Sequence, residues 1–171
     1  MRAIGIGGSP RKNSNTEFYV KVALDTLEKR GIDTELVLLS DKTIYPCDGC
    51  YRCWETKNGE CKLRGDDFND IYKKMVAADA IIVGSPTHIG APHPTLWSLL
   101  VRAEFPHAGG IYAYVTGSGQ QKASPFSGKV GGPITVARRT GATNAFAQLL
   151  LWFYISGFII PGNIYWNVGM A

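Results

Sequence analysis

Cys47, Cys50, Cys53 and Cys61 are the only cysteines in this chain of 171 residues. Their spacing, Cys-x2-Cys-x2-Cys-x7-Cys, packs three thiols two residues apart and brings a fourth from nearby sequence. Compact C-x2-C-x2-C runs completed by a further thiolate hold iron–sulfur clusters. Three such thiolates can each take one corner of a cubane, and this inventory permits one cluster, closed by Cys61. Cysteines serving only a core would be scattered along the chain, and a protein of a reducing compartment rarely uses them as disulfides. Pro46 and Gly49 suit a tight loop whose N–H groups turn toward the sulfurs. Three other uses stay open. Structural zinc takes four such ligands, usually as two separated pairs. A redox dithiol needs only two cysteines. A loop can also keep its cysteines without assembling a cluster.

A second group of residues suits an anion. Gly8-Ser9-Pro10-Arg11-Lys12-Asn13-Ser14-Asn15-Thr16 follows a short apolar run and opens a helical pattern. A helix N-terminus offers unpaired N–H groups and the positive end of its dipole, which favour a phosphate. Ser9, Ser14, Asn15 and Thr16 add short donors, and Arg11 adds charge. The loop lacks the Gly-Lys-Ser/Thr of a nucleotide-triphosphate loop. Pro10 stands where the third glycine of a dinucleotide fingerprint belongs. A monophosphate held by hydroxyls and backbone fits better; a polar turn with an N-cap is the plain alternative.

The elements that position these loops follow from periodicity. Residues 2–8 read as a buried strand, Glu17 to Arg30 as a helix ended by Gly31, and Thr34 to Leu39 as a second strand. Asp66 and Asp67 read as the N-cap of a helix reaching Ala78. Ala80 to Val83 is a third strand ending at Gly84-Ser85-Pro86, followed by a helix from Thr95 to Glu104. Residues 105–129 read as a long excursion. A fourth strand over Gly132 to Ala137, a helix over Asn144 to Ser156 and a last strand region at Phe158-Ile159-Ile160 and Ile164-Tyr165-Trp166 complete the series. Strands alternating with helices specify βαβ units and a parallel sheet with helices on both faces. In such sheets ligands sit beyond the carboxyl ends of the strands, at the topological switch point. Each loop singled out above follows a strand, so all of them leave the sheet on one rim.

Composition narrows the function classes. Net charge is +4, the sequence pI is about 8.9 and apolar residues make up 45%. No Lys/Arg block tracks a nucleic-acid backbone, and we expect no nucleic-acid partner. The apolar stretch from Leu149 to Ile160, broken by Ser156 and Gly157, falls short of the roughly 20 residues that span a bilayer. With Arg2 leading straight into a strand-like run, no signal peptide is expected. The expectation is a cytoplasmic protein without a membrane partner.

The Gly-Ser-Pro-Arg-Lys-x-Ser-Asn-Thr loop resembles the FMN phosphate loop of the NADPH-dependent FMN reductase group of flavodoxin-like proteins. Ala80 to Gly90, with Ser85-Pro86-Thr87-His88-Ile89-Gly90, resembles that group's third strand and flavin-ring loop. Lys129 to Gly141, with Arg138-Arg139-Thr140-Gly141, resembles the segment closing over the far side of the ring. The cysteine motif is similar to that of the iron–sulfur flavoproteins, which join it to a flavodoxin-like FMN domain. The pattern Cys50-x2-Cys53-Trp54, Gly59-x-Cys61 and Asp66-Asp67 also resembles flavodoxin-like NAD(P)H oxidoreductases with no established cluster.

The resemblance implies one flavodoxin-like α/β domain over residues 1–171. Its doubly wound parallel sheet would have five strands in the order 2-1-3-4-5, with a cysteine-rich loop at residues 43–65 and the fold's last helix missing before Ala171. It implies FMN bound by Ser9, Arg11, Ser14, Asn15 and Thr16, by Ser85, Pro86, Thr87, His88, Ile89 and Gly90, and by Arg139, Thr140 and Gly141. It implies a [4Fe–4S] cluster on Cys47, Cys50, Cys53 and Cys61. His88 replaces the aromatic residue that relatives commonly carry, which suggests a more polar flavin contact.

The expected activity is that of an FMN-dependent oxidoreductase coupling a one-electron carrier such as ferredoxin, or NAD(P)H, to FMN. No side chain is assigned as a catalytic acid or base. An NAD(P)H-dependent FMN or quinone reductase without a cluster, and a zinc-stapled binding module, are the alternatives. His93 and His107 stand at no ligand spacing. The apolar helix around Leu149–Leu151 points to a homodimer or homotetramer.

Overall fold

The computed structural model describes residues 1–56, 59–63, 65–106, 124–162 and 168–170. In chain order the elements are β1 (Arg2–Gly7), α1 (Asn15–Glu28), β2 (Asp33–Leu38), α2 (Arg52–Thr56), α3 (Phe68–Ala77), β3 (Ala80–His88), β4 (Ala91–Pro92), α4 (Pro94–Ala103), β5 (Val130–Ala137), α5 (Ala142–Ile155) and β6 (Val168–Met170). A 3-10 turn over Leu39–Asp41 follows β2.

The sheet runs β2-β1-β3-β5-β6, and β4 pairs only with β3. All neighbours along that path are parallel, with Ile4 of β1 flanked by Glu35 of β2 and Ile81 of β3. The five parallel strands therefore keep the expected flavodoxin-like order. The sixth, β4, is a two-residue antiparallel return onto the end of β3.

Alternation along the central strands sorts the two faces. Ile4, Ile6, Ile81 and Val83 are fully buried in a core shared with Phe68, Ile71 and Met75 of α3, Leu96 and Leu99 of α4 and Leu149 and Phe153 of α5. On the other face the small residues Gly5 and Gly84 let α1 lie close, because a Cβ at either would stand within 2.6 Å of Val20. Helices thus cover both sides, as right-handed βαβ crossovers require.

Several boundaries differ from the sequence expectation, most by one or two residues. Helix α1 begins at Asn15, because Ser14 caps it. Strand β3 continues beyond Val83 to His88, and the expected loop is a hairpin whose turn is Ile89-Gly90. At the C-terminal end Ile159 makes one parallel bridge to Val130, and the fifth parallel strand is Val168–Met170. The expected strand at 164–166, His107 and residues 107–123 of the expected excursion lie outside the described residues. Among the described residues no helix is long and apolar enough to cross a membrane.

Candidate functional site

The phosphate loop is held by its own hydrogen bonds. Ser14 Oγ accepts from the Glu17 N–H at 3.2 Å, which fixes the first turn of α1. Glu17 reaches back, accepting from the Asn13 N–H at 2.9 Å and pairing with Lys21 at 2.6 Å. Its hydrogen bond with Lys21 holds this carboxyl below the usual range, against the opposing effect of burial. The Ser14-x-x-Glu17 spacing is a capping-box signature that the sequence displays. Ser9 is buried, and its Oγ accepts from the Arg11 N–H at 3.2 Å. Thr16 is buried at the start of α1, whereas Arg11 and Asn15 are exposed. The first-turn N–H groups of Asn15 and Thr16 have no intrahelical partner, as at any helix start.

The hairpin after β3 forms the second wall. Ser85 is fully buried; its Oγ accepts from the His93 N–H at 3.0 Å and donates to the Pro86 carbonyl at 2.9 Å. Thr87 Oγ1 is buried with no hydrogen-bond partner among the described residues, a polar atom that a bound group would satisfy. His88 is exposed and packs edge-on against His93 at 5.0 Å between ring centroids. Burial, then the neighbouring His88, lowers the His93 pKa. Ile89 is fully exposed at φ 51°, a strained conformation for a β-branched residue.

The third expected segment meets this hairpin. Gly141, at φ 86°, caps α5, and a Cβ there would lie 2.8 Å from Gly90 Cα. The Gly90 carbonyl accepts from Asn144 Nδ2 at 2.7 Å and Gln148 Nε2 at 3.2 Å. Arg138, Arg139 and Thr140 stand exposed beside this contact.

The four cysteines line one open-mouthed cavity. All are free thiols: Cys47 and Cys50 are exposed, Cys61 is half-buried and Cys53 is buried. Burial, then the nearby Cys61, raises the Cys53 thiol pKa. Among the described residues no three His, Cys, Asp or Glu side chains close around a point as they would on one ion. By its chemistry alone, a set of four free cysteines lining one cavity is the donor set an iron–sulfur group takes. Asp48 turns the loop by accepting from the Cys50 N–H at 3.1 Å.

Helix α3 anchors the ends of this loop. Asn69 grips the Cys61 backbone twice, accepting from its N–H at 2.9 Å and donating to its carbonyl at 3.0 Å. Asp67 Oδ2 accepts from the Thr43 N–H at 2.8 Å, and Asp66 Oδ2 accepts from the Tyr45 N–H at 2.8 Å. The expected capping role holds in part: Asp67 makes no side-chain cap, whereas Asp66 Oδ1 accepts from the Phe68 N–H at 3.4 Å at the start of α3 while the same carboxylate forms a buried ion pair with Arg102. Arg102 Nη2 also donates to Cys61 Sγ at 3.2 Å.

Sequence reasoning missed Arg102. Its signal was a lone cation in the apolar run Leu96 to Ala103, three residues after the core residue Leu99.

No described residue of the phosphate loop or the flavin-type hairpin lines the cysteine cavity. The loops leave one rim, as expected, but their side chains gather into two places. Helix α4 joins the two: its N-cap residue His93 bonds to the hairpin, and Arg102 near its other end bonds to Cys61.

The family model for NADPH-dependent FMN reductase matches residues 1–171. An iron–sulfur flavoprotein of Methanocaldococcus jannaschii is 35% identical over 165 residues, covering 95% of this chain and 77% of the relative. The chain belongs to the iron–sulfur flavoprotein family of the NADPH-dependent FMN reductase group. A second member, an iron–sulfur flavoprotein of Methanosarcina thermophila, is 30% identical over 98% of this chain and 83% of its own length.

Two solved structures share the fold. RosB with bound 8-demethyl-8-formylriboflavin-5′-phosphate has a TM-score of 0.76 at 22% identity, covering 100% of this chain and 66% of that one. NAD(P)H:quinone oxidoreductase from Methanothermobacter marburgensis has a TM-score of 0.69 at 12% identity, covering 100% and 88%. Membership in the FMN reductase group makes the protein an FMN-dependent oxidoreductase.

Proposed function

We propose that this flavoprotein carries a [4Fe–4S] cluster on Cys47, Cys50, Cys53 and Cys61 and links a one-electron carrier such as ferredoxin, or NAD(P)H, to FMN. The observation that carries the reading is that four free cysteines line a single cavity. The iron–sulfur flavoprotein relatives support it. When bound, FMN exchanges one or two electrons and a cluster exchanges one, while the protein supplies position and electrostatics.

In this reading Ser9, Arg11, Ser14, Asn15 and Thr16 cradle the FMN phosphate. Ser85, Pro86, Thr87, His88, Ile89 and Gly90 line the ring, and Arg139, Thr140 and Gly141 close its far side. The orphaned Thr87 hydroxyl and the contact of Gly141 with Gly90 support that grouping. Residues 1–171 act as one domain. The exposed Leu151, Tyr154 and Ile155 on the outside of α5 support pairing of subunits. The free thiols accord with action in the cytoplasm.

The test is a visible spectrum with flavin, iron, acid-labile sulfide and zinc analysis of anaerobically purified protein. Flavin with iron and sulfide is expected. Flavin without iron would establish a cluster-free reductase, and zinc without flavin a stapled binding module. Cys53→Ser should remove iron and sulfide while leaving flavin content near that of the parent. Equal loss of flavin would make the loop structural.

A further inference from the structure

Arg102 is among the most secluded charges of the described residues, with 1% of its side chain exposed. A buried guanidinium needs partners, because an unpaired charge in the interior is strongly destabilising. The hydrogen-bond partners of Arg102 belong to the cysteine loop and its anchor. Nη1 bonds to Asp66 and donates to the Tyr45 carbonyl at 2.9 Å. Nη2 donates to Cys61 Sγ at 3.2 Å and Asp66 Oδ1 at 3.4 Å. The guanidinium carbon also lies 4.0 Å from the centre of the Phe68 ring. The planar fork matches this arrangement, since one edge can hold a carboxylate while a terminal nitrogen addresses a sulfur.

A neutral side chain would fill this interior place more easily, so the charge calls for a use. Burial opposes the charged form, and the contacts with Asp66 and Cys61 outweigh it, holding the Arg102 pKa above its usual value. Arg52 hydrogen-bonds to Cys50 at the exposed mouth of the loop, whereas Arg102 addresses the Cys61 sulfur from the interior. Hydrogen bonds to the sulfurs, net charge and exposure set the reduction potential of an iron–sulfur group.

We propose that Arg102 is a positioning residue for the redox centre: it orients Cys61 and, by donating an N–H to that sulfur, raises the potential of the cluster held by the four cysteines. This rests on the cluster reading above. A reduced cluster carries one more negative charge, which a buried donor favours. Asp66 aims the fork and offsets its charge, so the effect is directed at one sulfur rather than spread over the rim.

The test is an EPR-monitored redox titration of anaerobic holoprotein, with iron, sulfide and flavin measured on each sample. The paired variant Arg102→Gln/Asp66→Asn removes both charges and leaves none stranded. Arg102→Lys keeps the charge and loses the fork. The paired variant should retain flavin and shift the cluster midpoint downward by about 59 mV, a tenfold change in the one-electron equilibrium. Arg102→Lys should move it in the same direction by less, and the FMN potential should stay in place.

A midpoint equal to that of the parent in an iron-replete paired variant overturns the role. If the paired variant loses its cluster, Arg102→Lys decides: a lowered midpoint supports the role and an unmoved one overturns it. Parent protein with flavin but no iron or sulfide overturns the cluster reading, and this role with it.

Discussion

His93 and Arg102 stand at opposite ends of α4, nine positions apart, so about 14 Å of helix axis separates the flavin-type hairpin from the cysteine cavity. The His93 N–H donates to Ser85 Oγ in the hairpin, and Arg102 Nη2 donates to Cys61 Sγ in the cavity. Between them Leu96, Leu99 and Leu100 are fully buried against the sheet. The helix therefore acts as a fixed strut whose length sets the separation of the two sites. A side chain at either end can adjust its own site with little effect on the other.

Asn69 gives the first prediction. Its amide makes both backbone hydrogen bonds to Cys61, and net contributions run about 0.5–1.5 kcal/mol each. Asn69→Ala should lower stability by about 1–3 kcal/mol in urea unfolding of the purified protein. Iron content should fall while flavin content holds. Unchanged iron would mean that the Arg102 contact alone places Cys61.

How much of this could be read beforehand depended on how local each signal was. The cysteine spacing and the phosphate loop are contiguous, and the alternation of strands and helices is periodic, so the flavodoxin-like sheet and its loops were legible. Arg102 was not, because its partners lie 36 and 41 positions away in the chain and no pattern in α4 names them. Asp66 reads as a cap because aspartate before an amphipathic helix usually is one, and it does accept from the Phe68 N–H; its ion pair with Arg102 had no such local signal. The extension of β3 was hidden by Gly84-Ser85-Pro86, whose composition reads as a turn, although Ser85 and Pro86 still pair with Thr135 and Val136 of β5.

Ser14 carries the second prediction. It caps α1 at the phosphate loop, and loss of such a cap typically costs about 1 kcal/mol. Ser14→Ala should lower the unfolding free energy by that amount and weaken FMN binding in a fluorescence titration. Ser14→Asp should restore the cap but not FMN affinity, because its carboxylate would face the phosphate. Equal FMN affinity in all three proteins would remove Ser14 from the cradle.

Gly141 joins the two walls around the proposed ring site. At φ 86° a side chain is strained, and the added Cβ would stand 2.8 Å from Gly90 Cα. Gly141→Ala should cost about 1–3 kcal/mol and displace the hairpin turn. FMN affinity should drop, while iron retention in the distant cavity should be unaffected. A thermal midpoint and an FMN titration matching the parent would show that the two backbones part without cost.

The last prediction concerns pH. His93 is partly buried beside His88, and burial first, then the neighbouring imidazole, lowers its pKa below 6.5. Its Nδ1 accepts from the Thr95 N–H at 3.3 Å, so the neutral ring is the form that caps α4. The unfolded chain binds the proton more readily than the folded one. The stability contributed by this group is therefore complete above pH 6.5 and declines as pH falls from there to the folded-state pKa. His93→Asn retains a capping acceptor and does not titrate. The difference in thermal midpoint between parent and variant should shift against the parent as pH drops below 6.5 and be constant above it. A difference that stays flat through the acid range would mean that His93 takes up its proton in the folded protein as easily as in the unfolded chain.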